Sequence, residues 1–195
     1  MEPEDNMAGA ASSLARFRLT REGTVLLVID VQDRLAAVME DRERVIKNCG
    51  HLIEMAKLGD MPVIFTEQNP KGLGHTVCEL APLLPGHRLL EKVCFDCCKE
   101  PSFLEMLDRK RSTFMIGGME AHVCVLMTCL GLMDRGFNVH VVEDAVCSRR
   151  DEDRRAALEL MRDAGAVITT TETALFQLLE RAGTEEFRSI LRRIR

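Results

Sequence analysis

The chain has 195 residues, a length that the usual scale of about 150 residues per domain fills with one domain. With 46% hydrophobic and 29% charged residues it has the make-up of a globular protein, which excludes a disordered, collagen-like or low-complexity chain. Its net charge of −5 and pI near 5.6 give a surface that repels phosphate, which argues against nucleic acid as a partner. The apolar runs fall far short of the ~20 residues needed to cross a bilayer, so no membrane partner is expected. The opening MEPEDNMAGAASSLARF is acidic and polar where a secretion signal is basic and then apolar, and a cytoplasmic protein is expected. Residues 1–20 lack any periodic pattern and are expected to form a mobile N-terminal segment, leaving 21–195 as a single domain.

From Thr24 onward, apolar strand-like runs alternate with amphipathic stretches, the pattern of an α/β fold with helices on both faces of a parallel sheet. TVLLVID is the first strand, a continuous branched apolar run suited to burial on both faces. Residues 41–58 place Val45, Cys49, Leu52, Ile53 and Ala56 at helical spacing, with Gly59 as the expected C-cap. MPVIFTE and HRLLEKV are the second and third strands. Ser102 and Glu105 read as a capping box for a short helix carrying Phe103, Leu104 and Leu107. STFMIGG is the fourth strand, followed by a long helix over 121–135 that Gly136 ends. NVHVVED is the fifth strand, and a helix over 151–164 offers Ala156, Leu158, Leu160 and Met161 for burial. AVITT is the sixth strand, a helix over 173–181 follows, and EEFRSILRRIR closes the chain as a charged amphipathic helix.

Ligands of open parallel sheets bind at the carboxyl ends of the strands, so the residues at those ends are the first candidates for chemistry. The first strand ends at Asp30, the third at Lys92, and the fourth at Gly117-Gly118, with Cys124 opening the next helix. A helix N-terminus and a nearby ammonium both favour a thiolate, which predicts an ionised Cys124. Asp30 is the natural acceptor of the thiol proton, with Lys92 offsetting its charge. Taken singly, each of these residues also has an ordinary structural explanation: a core cysteine, a turn-capping aspartate, a surface lysine. The chain holds eight cysteines, and most read as small core residues; the Cys94, Cys97, Cys98 spacing lacks the second pair that a structural zinc site needs. His75, His122 and His140 read as satisfied or surface side chains.

The succession VIDVQ, TEQNPKGLG, LEKVCF and GGMEAHVCVLMTCLGLMDRGFNVHVVEDAVCSR, over about residues 22–181, resembles the isochorismatase-like cysteine hydrolase superfamily, in particular its isochorismatase-domain-containing branch. The resemblance implies a three-layer αβα Rossmann-like fold with a six-stranded parallel sheet in the order 3-2-1-4-5-6. It implies a catalytic Asp, Lys and Cys, which fall by motif on Asp30, Lys92 and Cys124. It further implies a cis peptide between Met119 and Glu120, an oxyanion hole formed by the backbone N–H groups of Glu120 and Cys124, and a homo-oligomer, for which the apolar helix over 121–133 is a candidate contact.

On this reading Cys124 attacks an amide-like carbonyl of a small molecule, the proton held by Asp30 passes to the leaving amine, and water hydrolyses the thioester. Gln32, Leu35, Gln68, Leu73, Phe95 and Met119 are expected pocket walls by position, with Leu73, Phe95 and Met119 reading equally as core. Glu120 stands where amidase relatives have a small residue, so it either narrows the pocket or sets an acid beside the substrate. Metal-binding relatives carry an Asp-x-His pair where this chain has Glu67, Gln68, Asn69 and Pro70, so no metal and no cofactor are expected. Two alternatives stay open: hydrolysis of a vinyl ether such as isochorismate, and a catalytically idle binding or scaffold protein.

Overall fold

The computed structural model describes residues 14–108 and 110–194. In chain order the elements are β1 (Thr24–Ile29), α1 (Asp33–Ala36), α2 (Arg42–Leu58), β2 (Val63–Gln68), α3 (Pro70–Leu73), β3 (Arg88–Lys92) and α4 (Pro101–Glu105). They continue with β4 (Thr113–Met119), a π-helical turn (Ala121–Val125), α5 (Leu126–Asp134), β5 (Asn138–Cys147), α6 (Asp151–Asp163), β6 (Val167–Thr169), α7 (Thr171–Leu179) and α8 (Glu185–Ile194). The six strands form one sheet in the order β3-β2-β1-β4-β5-β6, every neighbouring pair parallel.

Both faces of the sheet are covered, which is why its inner strands read as unbroken apolar runs. Along β1, Leu26 and Val28 join the core beneath α2, α7 and α8, while Val25, Leu27 and Ile29 join the core beneath α5 and α6. All five apolar positions expected in α2 are buried. In α8, Ile190 is buried and Phe187 and Ile194 pack against the core, so the charged face of the C-terminal helix is its outer one.

Several local expectations are corrected. Gly59 is the C-cap of α2 as expected, though at φ −91°; the positive φ falls on Asp60, at 50°. Ser102 lies inside α4, whose N-cap is Glu100 and whose first residue is Pro101, so no capping box forms. In α6, Leu158 and Met161 are buried as expected, joined by Ala157, whereas Ala156 and Leu160 face out. The helix after β4 begins as a π-turn, and α5 proper starts only at Leu126. Of the expected mobile segment over 1–20, residues 1–13 lie outside the described residues. Residues 14–20 are anchored: Ala15–Phe17 form a 3₁₀ turn, Leu19 is buried, and its N–H donates to Gln177 Oε1 at 2.8 Å.

Gly117-Gly118 lies within β4, which runs on to Met119. Gly118 has φ +124°, and a Cβ there would collide with the Ile29 carbonyl oxygen of β1. The β4–β5 register shifts at this point, between Ile116 and Gly118. Only glycine allows the two strand ends to run this close, and those ends carry Asp30 and the approach to Cys124.

Candidate active site

Asp30 leaves β1 with φ 51°, a conformation open to few residues besides glycine, asparagine and aspartate. Its backbone N–H donates to the Thr66 carbonyl and hydroxyl of β2, each at 3.2 Å. The Thr66 hydroxyl in turn donates to Asp30 Oδ1 at 2.5 Å, and Lys92 Nζ donates to Oδ2 at 2.7 Å. Lys92, the last residue of β3, gives a second hydrogen bond to Gln68 Oε1 at 2.8 Å. The Asp30 and Lys92 side chains are both 0% exposed, so this ion pair is removed from water and each charge depends on the other.

Cys124 sits in the π-turn after β4, buried, with its thiol close enough to Asp30 and Lys92 for hydrogen bonding to both to shift its acidity. Burial pushes the thiol well above its ordinary range, the Asp30 charge pushes the same way, and the Lys92 ammonium opposes them without prevailing. The resting sulfur is therefore protonated, which corrects the expectation of a standing thiolate. Burial also works against the charge on Lys92, but Asp30 outweighs it and holds the ammonium above its usual pKa. The Lys92 ammonium, the Asp30 side chain and the Cys124 thiol thus share one buried site.

The Met119–Glu120 peptide bond is cis. The Glu120 carbonyl accepts the N–H groups of Val123 at 3.1 Å and Val125 at 3.2 Å, the residues on either side of Cys124. Glu120 does not reach out as a free acid: its Oε2 accepts both the backbone N–H and the Nε–H of Arg149, each at 3.0 Å.

The expected pocket walls divide. Gln32 is fully buried, and its amide clamps backbone: Nε2 donates to the carbonyls of Gln68 and Gly74, and Oε1 accepts the Gln68 N–H. It holds the segment after β2 and has no free polar atom for a substrate. Met119 is fully buried in the core beneath α2, so it too is corrected from wall to core. Gln68 is a neighbour of the ion pair, tied to Lys92 and, through Nε2, to the Val93 carbonyl. Leu35 and Leu73 are half-buried, and Phe95 is 51% exposed on the loop after β3.

Thr66 was not foreseen as part of the site; its only sequence signal is its place two residues before the end of β2, level with Ile29 in the register. Glu67, where metal-binding relatives begin their ligand segment, is engaged by the His75 ring at 2.9 Å and by the N–H and hydroxyl of Thr76. Among the described residues no group of three or more His, Cys, Asp or Glu side chains is arranged to hold a metal. The cysteines are all unpaired; of the C-x-x-C, Cys94 is half-buried and Cys97 is a core residue, as is the adjoining Cys98. His75 is exposed and His122 half-buried with its Nδ1 on the Ser148 hydroxyl, but His140 is only half satisfied: Nε2 meets the Arg16 carbonyl while Nδ1 is buried without a partner.

Comparison with known proteins places this geometry in context. A family model, the isochorismatase domain, matches residues 24–173. The chain is 38% identical to the secreted isochorismatase effector Isc1 of Phytophthora sojae, over 97% of this chain and 93% of that protein. Among solved structures it is similar to the MAR1 ribonuclease of Caenorhabditis elegans, with a TM-score of 0.86 and 37% identity, covering 91% of this chain and 92% of that one. It is also similar to YcaC from Pseudomonas aeruginosa, determined with hexane-2,5-diol and covalent acrylamide, with a TM-score of 0.84 and 25% identity over 89% and 90% of the two chains. With a domain match over most of its length and relatives that span nearly the whole chain, this protein belongs to the isochorismatase family of hydrolases.

Proposed function

We propose that the protein is a metal-independent cysteine hydrolase that cleaves a C–N bond of a small amide-like substrate through a thioester on Cys124. The observation that carries this reading is that the buried, ion-paired Asp30 lies near enough to the Cys124 thiol to raise its pKa through charge and hydrogen bonding. A thiol is a weak nucleophile until its proton leaves, and here a carboxylate lies beside it as an acceptor. As the sulfur attacks the carbonyl carbon, the proton moves to Asp30 and the carbonyl oxygen becomes an oxyanion. The backbone N–H groups of Glu120 and Cys124 face that oxygen in this reading and stabilise charge only as it develops. Collapse of the tetrahedral species breaks the C–N bond, and Asp30 returns the proton to the departing amine. Water, deprotonated by Asp30, then attacks the thioester; the acid leaves and the thiol is restored.

Lys92 holds the Asp30 carboxyl group in place through its 2.7 Å hydrogen bond, and its ammonium at the centre of the site is a poor neighbour for a divalent cation. That is the reason, on the donor set itself, for a mechanism without metal. The covalent acrylamide on YcaC is consistent with an electrophile-accepting nucleophile in this fold. The ribonuclease description of the Caenorhabditis elegans protein raises phosphodiester cleavage, but here the ammonium of the site is already matched by Asp30, and the chain carries a net charge of −5. A small neutral carbonyl compound suits this site better than a polyanion. We place the enzyme in the cytosol and expect a homo-oligomer, with the exposed Met127 and Leu130 of α5 as contact residues.

The test is a panel of small amides, isochorismate and an RNA oligonucleotide, run with the native protein and with Cys124→Ala. The proposal expects amide turnover that C124A abolishes while the circular dichroism spectrum is unchanged. Isochorismate turnover that survives in C124A, RNA cleavage alone, or no turnover of any class would reject it.

A further inference from the structure

The side-chain bonds that join the π-turn carrying Cys124 to the loop after β5 have no part in the chemistry above. Met119 and Cys147 are register partners at the ends of β4 and β5. Beyond them the sheet stops, yet the two chains stay joined. Glu120 Oε2 takes both donors from Arg149, and His122 Nδ1 meets the Ser148 hydroxyl at 2.9 Å. His122 also lies 4.0 Å from Asp153 in the first turn of α6. Consecutive residues of one loop thus grip alternate residues of the other, and the gripped stretch begins with the peptide N–H assigned to the oxyanion.

The Glu120 carboxylate is 7% exposed, whereas the Arg149 side chain is 61% exposed. Asp30 and Glu120 are both acids near the sulfur's segment, but only Asp30 has an ammonium partner within the site; the partner of Glu120 comes from outside. Without Arg149, a buried carboxylate would sit on the residue whose N–H must face a developing negative charge, and the two like charges would oppose each other.

Building on the hydrolase reading, we propose that Arg149 is a positioning residue for acyl transfer: it turns the Glu120 carboxylate away from the oxyanion and, with Ser148 on His122, fixes the turn that presents the hole. The role is electrostatic, so it predicts a signature that a merely structural tie does not. Transfer of an acyl group develops an oxyanion, whereas alkylation by iodoacetamide displaces iodide at a saturated carbon and develops none. Both reactions need the Cys124 sulfur and its proton acceptor.

The experiment measures two rates at Cys124 in the full chain, located by peptide mass spectrometry: acetylation by p-nitrophenyl acetate with release of p-nitrophenolate, and alkylation by iodoacetamide. Arg149→Ala is expected to slow acetylation by about tenfold to a hundredfold, the range for weakening an oxyanion hole, while alkylation stays within about threefold. Arg149→Lys keeps a cation and is expected to keep most of the acetylation rate. In Glu120→Gln/Arg149→Ala, with the carboxylate neutralised, acetylation recovers relative to R149A.

Equal loss of both rates in R149A, no loss of either, loss in R149K as deep as in R149A, or no recovery in the double variant would overturn the proposal. Native protein that is acetylated at some residue other than Cys124 would instead overturn the hydrolase reading on which it rests. R149A leaves the buried Glu120 carboxylate without its cation and is expected to melt lower, whereas R149K keeps the pair and is expected to retain the native melting curve; the ratio of the two rates within each variant, and the R149K comparison, decide.

Discussion

Replacing Lys92 by Met tests the buried ion pair in isolation from catalysis, because the two side chains are similar in length and only the charge and its hydrogen bonds are lost. In the native protein Lys92 Nζ donates to Asp30 at 2.7 Å and Gln68 at 2.8 Å, with both members of the pair shielded from water. Removing one partner of such a pair leaves an uncompensated buried charge, which costs about 3–5 kcal/mol. For a domain of this size each kcal/mol lowers the melting temperature by about 2–4 °C, so K92M is expected to melt roughly 6–20 °C lower. Asp30→Asn/Lys92→Met removes both charges together and should regain most of that loss, although it too is inactive.

The pH dependence has a definite sign. Lys92 is held above its ordinary 10.5 by Asp30, so its contribution is full below that pH and disappears only as pH rises through the still higher native value. The difference between native and K92M in urea titrations should therefore be the same at pH 7 and pH 9. A loss under about 1 kcal/mol, the range of exposed pairs, or a difference that fades between pH 7 and 9, would refute a buried, mutually dependent pair.

Gly118→Ala should destabilise severely and abolish activity, since the added methyl meets the Ile29 carbonyl and the backbone has φ +124°; a chemical denaturation midpoint near the native one would contradict this. Thr66→Val removes the hydroxyl that donates to Asp30 and should cost about 1–3 kcal/mol, with a fall in kcat larger than any rise in KM; unchanged stability would show the bond to be dispensable. Burial opposes the charge on Glu67, but the Thr76 N–H, His75 and the Thr76 hydroxyl outweigh it and hold the carboxyl below its ordinary 4.5. Its contribution is present above that pH and lost as pH falls through the lower native value, so Glu67→Gln should flatten the acid limb of the stability curve. Burial, then Lys47 and Arg193, lower the pKa of His51, whose two ring nitrogens lack partners. Native stability should therefore fall between pH 7 and 5 as the unfolded chain takes up a proton, and His51→Leu should remove that slope.

The alternation of strands and helices around a parallel sheet was legible from apolar runs of strand length, and Asp30 and Lys92 stood out as polar residues at strand ends, whereas the strand order came from the resemblance of the motifs to a known family and not from the runs themselves. What was not legible depends on side chains meeting across the sheet. Gln32 looked like a pocket wall by position, but it is consumed by the Gln68 and Gly74 backbone, which only the folded loop brings near. Glu120 looked like an acid in the pocket because its partner, Arg149, lies on another strand's loop. The ionisation of Cys124 was misjudged for a similar reason: a helix start and a lysine favour a thiolate, but the depth of burial and the closeness of Asp30 are tertiary facts, and they prevail. The burial of Ala157 rather than Ala156 in α6 shows the limit of periodicity where small residues adjoin.

The central claim is that Cys124 gives its proton to Asp30 and takes up the acyl group. Rapid quenching after exposure to p-nitrophenyl acetate, followed by peptide mass spectrometry of native protein and Asp30→Asn, tests it most directly. The account predicts one acetyl group on Cys124 in the native protein and a rate of acetylation lower by at least about a hundredfold in D30N, the scale of general-base assistance. Acetyl carried by another cysteine, or an undiminished rate on Cys124 without the Asp30 carboxylate, would contradict it.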